Sequence, residues 1–277
     1  MPRALLFPAL LFLAAQPLFA AGRIEIAQVV FSLSEDGPPV DGDFQPGENV
    51  YLSFSIANYK ISPLEKVQIS YRLTAQDPRG IPIVAPVKSK LEAALAPQDK
   101  DWRPRVHEVF AIPPIAPAGD YAVHVSVTDE LSQQTVEKDL TVKVRTRNVE
   151  PSDVLALRDF GFYRGEDDPN PIPSPVYGPG ATVYARFDIA GYKYGSGNSV
   201  EVSYDVAMLN AEGKSLYSQP AAAVEKTSGF YPQPWVPAGM SLNLDKNIRP
   251  GDYTVVITLH DAVGKQVNET RHVFQVQ

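Results

Sequence analysis

Between residues 46 and 80, and again between 179 and 213, the chain writes one segment twice. Pro46-Gly47 aligns with Pro179-Gly180 at an offset of 133, and the match runs without a gap to Gly80 and Gly213. It holds 13 identities in 35 positions, among them Val50/Val183, Tyr51/Tyr184, Phe54/Phe187, Ile56/Ile189, Tyr59/Tyr192, Lys60/Lys193 and Tyr71/Tyr204. The same offset pairs Trp102-Arg-Pro104 with Trp235-Val-Pro237. One residue is then lost, and at offset 132 Gly119-Asp-Tyr121 meets Gly251-Asp-Tyr253 and Asp129 meets Asp261. Solenoid repeats run to a few tens of residues, so a unit of this size is a whole domain written twice. The reading is two tandem copies, residues 22–147 and 148–277.

Within each copy the apolar period is two. Val50, Leu52, Phe54 and Ile56 alternate with Tyr51, Ser53 and Ser55, and Val183, Ala185, Phe187 and Ile189 do the same. Val67, Ile69, Tyr71 and Leu73 repeat the pattern, as do Tyr121, Val123, Val125 and Val127 and their counterparts Tyr253, Val255, Ile257 and Leu259. Strict alternation marks antiparallel strands with one face on a core and one in water. Turn signals separate them at Pro46-Gly47, Asp77-Pro-Arg-Gly80, Pro117-Ala-Gly119 and Pro250-Gly251. Only windows such as 153–158 are left for a helical turn. The expectation is all-β: two immunoglobulin-like, Greek-key β-sandwiches of six to eight strands each. The Gly-Asp-Tyr element delivers a tyrosine at the start of a late strand, as a tyrosine corner would; the alternative is that Tyr121 and Tyr253 are simply large core residues.

A narrower likeness rests on named residues. Pro-Gly-Glu-Asn-Val at 46–50, the alternating strand after it, a chain-turning Asn58 and a second strand closing on Asp77-Pro-Arg-Gly80 resemble bacterial extracellular immunoglobulin-like modules, the cell-adhesion-related domain among them. The Pro-Gly-Asp-Tyr…Asp…Val stretch at 250–276 is similar to the closing strands of such modules. The second copy departs from the pattern at Ala181 and Thr182. The resemblance implies a fold, and a role as spacer, adhesion domain or accessory domain; it implies no ligand.

Residues 1–21 read as a cleaved secretory signal: Arg3, an apolar stretch from Ala4 to Phe19, then Ala20-Ala21-Gly22. Pro8 and Pro17 interrupt the stretch and no basic cluster follows it, which argues against a membrane anchor. No later stretch is apolar enough to span a bilayer. Cysteine is absent, so neither disulfides nor a lipid anchor on cysteine is available, and an exported chain without disulfides fits a bacterial envelope or extracellular protein. Without Arg3, 24 basic residues face 32 acidic ones, a net of −8. The basic residues are scattered along the sequence, so nucleic acid is not an expected partner.

The chemistry-bearing residues form no catalytic constellation. The four histidines, His107, His124, His260 and His272, share no metal-ligand spacing. His124 alternates with a core row and should face water, while His272 stands where the first copy has Leu140. Gly195-Ser-Gly197 lacks the strand-to-helix frame of a nucleophile elbow and reads as a loop. Two acidic loops precede the Pro-Gly turns. Asp41 and Asp43 in the first, and Asp167 and Asp168 in the second, are candidate calcium ligands, against a reading as solvated turns. No other cofactor is implied. Trp102 and Trp235, shared by the repeat, are expected to pack the two cores. Tyr194, Phe230 and Tyr231 have no aromatic counterparts in the first copy and are the candidate partner-binding residues. The functional expectation is a non-enzymatic exported module that positions or binds a protein or glycan of the envelope or cell exterior. The alternative is a carbohydrate-binding or accessory protein using the second copy's aromatics.

Overall fold

The computed structural model describes residues 23–277 apart from Lys100. The expected leader therefore lies outside the described residues. The first half carries β1 (Glu25–Ser32), β2 (Asp43–Phe44), β3 (Asn49–Ala57), β4 (Lys66–Gln76), β5 (Val87–Ala94), β6 (Arg105–Ala111), β7 (Gly119–Asp129) and β8 (Gln134–Val144). The second carries β9 (Ala156–Tyr163), β10 (Val176–Tyr177), β11 (Thr182–Ala190), β12 (Val200–Leu209), β13 (Ser215–Thr227), β14 (Trp235–Asn243), β15 (Gly251–Asp261) and β16 (Gln266–Val276). No α-helix occurs among the described residues, and the 153–158 window runs into β9 instead of a helical turn. No helix there is long and apolar enough to cross a membrane.

Each half is two sheets face to face. In the first, β1-β3-β6 packs on β2-β8-β7-β4-β5; in the second, β9-β11-β14 packs on β10-β16-β15-β12-β13. Pairing is antiparallel except where the two-residue strands β2 and β10 run parallel to the last strands. The chain changes sheets between β3 and β4, between β5 and β6 and again between β6 and β7, the Greek-key wiring of immunoglobulin-like sandwiches. The alternating rows supply the core: Val50, Leu52, Phe54, Ile56, Val67, Ile69 and Leu73 are buried in the first half, with Val183, Phe187, Ile189, Val200 and Val202 matching them in the second. Each such side chain contributes about 1.5–3 kcal/mol on burial.

The duplication reaches the backbone. Gln28 and Asp159 sit at φ +50° and +51° in β-bulges of β1 and β9, next to Ala27 and Arg158, the partners of Ser55 and Asp188. Asn58 (φ +59°) and Gly191 (φ +75°) turn the chain after β3 and β11. At Gly191 a Cβ would lie 1.9 Å from the Val154 carbonyl oxygen, so only glycine fits there.

Tyr121 Oη donates to the Pro117 carbonyl at 2.9 Å, and Tyr253 Oη to the Arg249 carbonyl at 2.8 Å. Both are tyrosine corners. The paired aspartates have a structural role the sequence only hinted at. Buried Asp129 accepts the Lys60 N–H at 2.8 Å and the Leu131 N–H at 2.9 Å; buried Asp261 accepts Lys193 N–H at 2.9 Å and Val263 N–H at 3.0 Å. One carboxylate thus ties two turns at the end of each sandwich, which accounts for keeping it buried.

The tryptophans depart from expectation. Trp235 is 5% exposed, whereas Trp102 is 37% exposed and belongs to no core. Pairing explains it. Ala190 faces Trp235 and Asp188 faces Pro237, while Ser55, the equivalent of Asp188, faces Arg105. Pro237 is therefore the counterpart of Arg105, at offset 132, and Trp235 that of Arg103. The two Trp-x-Pro frames are one residue out of step, and one residue moves a strand side chain to the other face.

Candidate functional site

The loop that carries Phe230 and Tyr231 lies where the halves meet. Tyr231 packs on the edge of the first core. Its hydroxyl donates to Asp77 Oδ2 at 2.9 Å and accepts from the Arg79 guanidinium at 2.9 Å. Asp77 is buried and also accepts the backbone N–H groups of Arg79 and Ile81, both at 2.9 Å, and Arg79 Nε at 2.9 Å. The Asp77-Pro-Arg-Gly80 turn is thus a preformed socket, and burial holds the Tyr231 phenol far above its ordinary pKa. The second copy has Asn210-Ala-Glu-Gly213 at that turn, without the Asp and Arg that make the socket.

The connecting segment adds a second fastening. Both terminal nitrogens of Arg147 bond the carboxylate of Asp188, which is buried; the Nη2–Oδ1 distance is 2.6 Å. The same guanidinium lies 6.0 Å from the centre of the Trp235 ring. Trp235, Ala190 and Val149 form a small apolar cluster joined by Ile115 of the first half. The tryptophan expected in the second core therefore packs at the joint.

Beside the joint, Tyr194 and Phe230 remain 41% and 56% exposed. Tyr194 and Tyr192 meet edge to face at 5.6 Å, and each hydroxyl donates to the Gln233 carbonyl at 2.6 Å. Asn198 Nδ2 holds the Phe230 carbonyl at 2.7 Å. The three candidate aromatics share one loop cluster, but in different roles: Tyr231 grips the first half, whereas Tyr194 and Phe230 face outward.

The outer face of each three-stranded sheet carries a cleft in the same place. The first, about 170 Å³, lies between the Glu35–Gly37 loop and β6, over Tyr51, Ser53, Arg105 and His107. The second, about 430 Å³, lies over Tyr184, Arg186, Gly239 and Ser241 with Glu166 at its rim. Register makes them equivalents: Ser53 faces His107, and Arg186 faces Gly239. Arg186 lies 3.7 Å from the Tyr163 ring centre and donates to the Asp168 carbonyl, with its Nε buried and unpaired. A Cβ on Gly239 would press the Ala185 carbonyl oxygen at 3.2 Å and only touch Arg186 Cγ at 3.5 Å, so what it crowds is the neighbouring backbone. The second cleft is thus partly occupied by its own cation, and the first presents His107 and Arg105 opposite Glu35 and Asp36.

The acidic loops do not converge. Asp43 pairs with Arg145 at 2.7 Å, Asp168 Oδ1 accepts the Asn170 N–H at 3.0 Å, and Asp41 and Asp167 are exposed. Among the described residues no three His, Asp or Glu side chains gather as metal ligands. His124 Nδ1 meets Asp139 at 2.7 Å on the water face, as alternation requires, and His260 Nε2 meets Asp205 at 2.9 Å. Ser203 faces His260 across β12 and β15, yet no hydrogen bond joins its hydroxyl to that ring, so the nucleophile–base contact of a triad is missing. Asp205 is held below the usual carboxylate range, first by the Ala221 N–H at the β13 bulge and then by His260. The scattered basic residues do converge in one place. Register sets Arg72 directly opposite Lys88, and Ser70 opposite Lys90, on the water face of β4 and β5. No linear motif announces that cluster; it could be found only by pairing the strands.

No protein-family model matches the sequence, and no curated protein matches it. Solved structures overlap it loosely. A family 123 glycoside hydrolase from Clostridium perfringens shares 11% identity at a TM-score of 0.30 over 38% of this chain; the chain spans 22% of that protein's length. The C-terminal domain of the Streptococcus pyogenes antigen I/II-family protein AspA shares 10% identity at 0.34, covering 92% of this chain and all of that one, 100%. The C-terminal domain of the Streptococcus agalactiae antigen I/II polypeptide BspA shares 11% at 0.34, over 90% and 99% of the two chains. Overlaps this loose carry no functional inference. The immunoglobulin-like assignment stands on strand order, register and the two tyrosine corners.

Proposed function

We propose that this chain is an exported, non-enzymatic module that holds two immunoglobulin-like domains, residues 22–147 and 148–277, in a fixed relation so that together they bind or position a macromolecule of the envelope or cell exterior. The observation that carries this is the joint. Tyr231 in its Asp77–Arg79 socket, Arg147 on Asp188 and the Trp235 cluster are three different fastenings between neighbouring units. Tandem domains need no such joint merely to coexist, since relative motion is the ordinary expectation across a short linker. A fixed spacing matters to a protein that presents surfaces.

A second reading, a carbohydrate-binding or accessory role, is favoured by the exposure of Tyr194 and Phe230, flat rings suited to stacking on sugars. Small-angle scattering of the purified chain tests the first reading. The native chain should fit one inter-domain distance, and Tyr231→Ala with Arg147→Ala should broaden it. Equal breadth before and after would remove the fixed-spacer argument. A glycan array on Tyr194→Ala and Phe230→Ala tests the second, and turnover in a broad hydrolase screen would sink both as non-enzymatic readings.

A further inference from the structure

We infer that the water face of β4, β5 and β7 in the first half is a docking platform for an anionic polysaccharide. This rests on the binding-module reading and names its ligand class. Register builds two rows across three strands: Lys90, Ser70 and Thr128 in one, Lys88, Arg72 and Ser126 in the next. Together they line a shallow open depression. Arg72, Lys88 and Lys90 are exposed, and none makes an ion pair among the described residues. The acids that border the platform are Glu92 further along β5, Glu130 bonded to the Ser70 hydroxyl at 2.6 Å, and Glu137 opposite Ser126.

Like charges directly opposite across a strand pair destabilise it, and Arg72 against Lys88 is such a pair. Lysines on an edge strand discourage edge-to-edge aggregation, which would explain Lys88 and Lys90 on β5. It does not explain Arg72, which stands on β4 between β5 and β7. The fold does not ask for it either: the second half has Asp205 at that position and Val224 at that of Lys90, on a sheet of the same wiring. A cation cluster kept at a cost, in a chain of net charge −7, is a means of holding an anion. The Ser126 hydroxyl can exchange hydrogen bonds with a sugar's own, whereas those of Ser70 and Thr128 already bond Glu130 and Thr135. The platform offers no exposed aromatic or aliphatic anchor, which a protein partner would use, and no stacking ring for the bases of a nucleic acid.

The experiment measures affinity of the full chain for dextran sulfate, polygalacturonate, neutral dextran, polyglutamate and a single-stranded oligonucleotide. Expected is salt-sensitive binding of one or both anionic saccharides, the two distinguishing sulfate from carboxylate, with neutral dextran bound weakly if at all on this face. Arg72→Gln with Lys88→Gln should lose at least about tenfold, the effect of removing one or two charged contacts. Arg23→Gln with Lys214→Gln, an equal change of net charge elsewhere, should stay near the native value. Lys88→Glu should raise the melting temperature by pairing with Arg72 while abolishing saccharide binding, a combination a merely structural role does not produce. Native affinity in the Arg72–Lys88 variant, tighter binding of polyglutamate or oligonucleotide, or no anionic binding at all overturns the platform. Anionic-saccharide binding that survives Arg72→Gln with Lys88→Gln but is lost in Tyr194→Ala would overturn it while leaving the binding-module reading intact.

Discussion

At the entrance to β6 the indole of Trp102 is partly exposed, and at the corresponding entrance to β14 the indole of Trp235 is closed over by Ala190, Val149 and Ile115. The flanking structure is shared. Tyr59 donates to the Trp102 carbonyl in one half, and Tyr192 to the Gln233 carbonyl in the other. What differs is parity. In the second half the tryptophan stands one residue nearer the paired strand position, so it takes the place of Arg103 and falls on the face turned to the neighbouring unit. One residue of slip converts a surface ring into the centre of a joint.

The largest effect should separate the two rings. Trp235→Ala should cost about 3–5 kcal/mol, because the cavity opens between packed elements. It also removes the ring beside Arg147. Trp102→Ala should cost less, about 1–2 kcal/mol, since its ring is 37% exposed and joins no core cluster, and the Tyr59 bond is to backbone. Chemical denaturation of both variants measures this. Equal losses would mean that the two frames are in step after all and that Trp235 is not the counterpart of Arg103.

The same parity argument shows what could be read in the sequence. Alternation at Val50–Ile56 and Val183–Ile189 fixed which side chains face inward, because burying one face leaves no freedom in a period of two. The Gly-Asp-Tyr element located the corners for a similar reason: a local turn and one hydroxyl suffice. The joint was not legible. Tyr231 lies 152 residues from Arg79 and 154 from Asp77, and nothing local in Asp-Pro-Arg-Gly distinguishes a socket from an ordinary turn. The Arg72–Lys88 opposition was hidden likewise, since two cations 16 residues apart become neighbours only through a hairpin register. Tyr194 and Phe230 were found by comparing the copies, but that comparison could not separate them from Tyr231, whose ring faces the other half.

The tyrosine corners should sharpen the comparison in the opposite sense, by behaving alike. Tyr121→Phe and Tyr253→Phe each remove one hydroxyl and leave a carbonyl, Pro117 or Arg249, without its donor. The expected loss is about 1–3 kcal/mol in either half. Burial has pushed the Tyr121 phenol upward, so its hydroxyl stays protonated and donating through ordinary alkaline conditions. A two-transition unfolding curve resolves the halves. If Tyr121→Phe shifted both transitions equally, the halves would be unfolding as a single unit, held together by the joint.

The smallest effect lies where the copies differ by one core-edge residue, Leu140 in β8 and His272 in β16. The His272 ring stacks on Phe160 at 3.5 Å, and burial lowers its pKa below the ordinary 6.5. The sign follows from where protons bind. In the unfolded chain the imidazole titrates near 6.5, while in the folded chain it resists protonation, so the unfolded state takes up the proton first as pH falls. This contribution is fully present above the unfolded value and is lost as pH drops through it toward the folded one. Asp205, whose pKa is depressed, acts lower down: its contribution is present above the ordinary carboxylate value of 3.8 and is lost as pH falls further, toward its folded pKa. The His272 window opens near 6.5, well above the point where that of Asp205 begins. As pH falls below about 6.5, His272→Leu should flatten the stability curve of the second half and leave the first unchanged, with the carboxylate-driven loss still following at lower pH. An unaltered slope in that window would move the titration from His272 to another group and remove this difference between the copies.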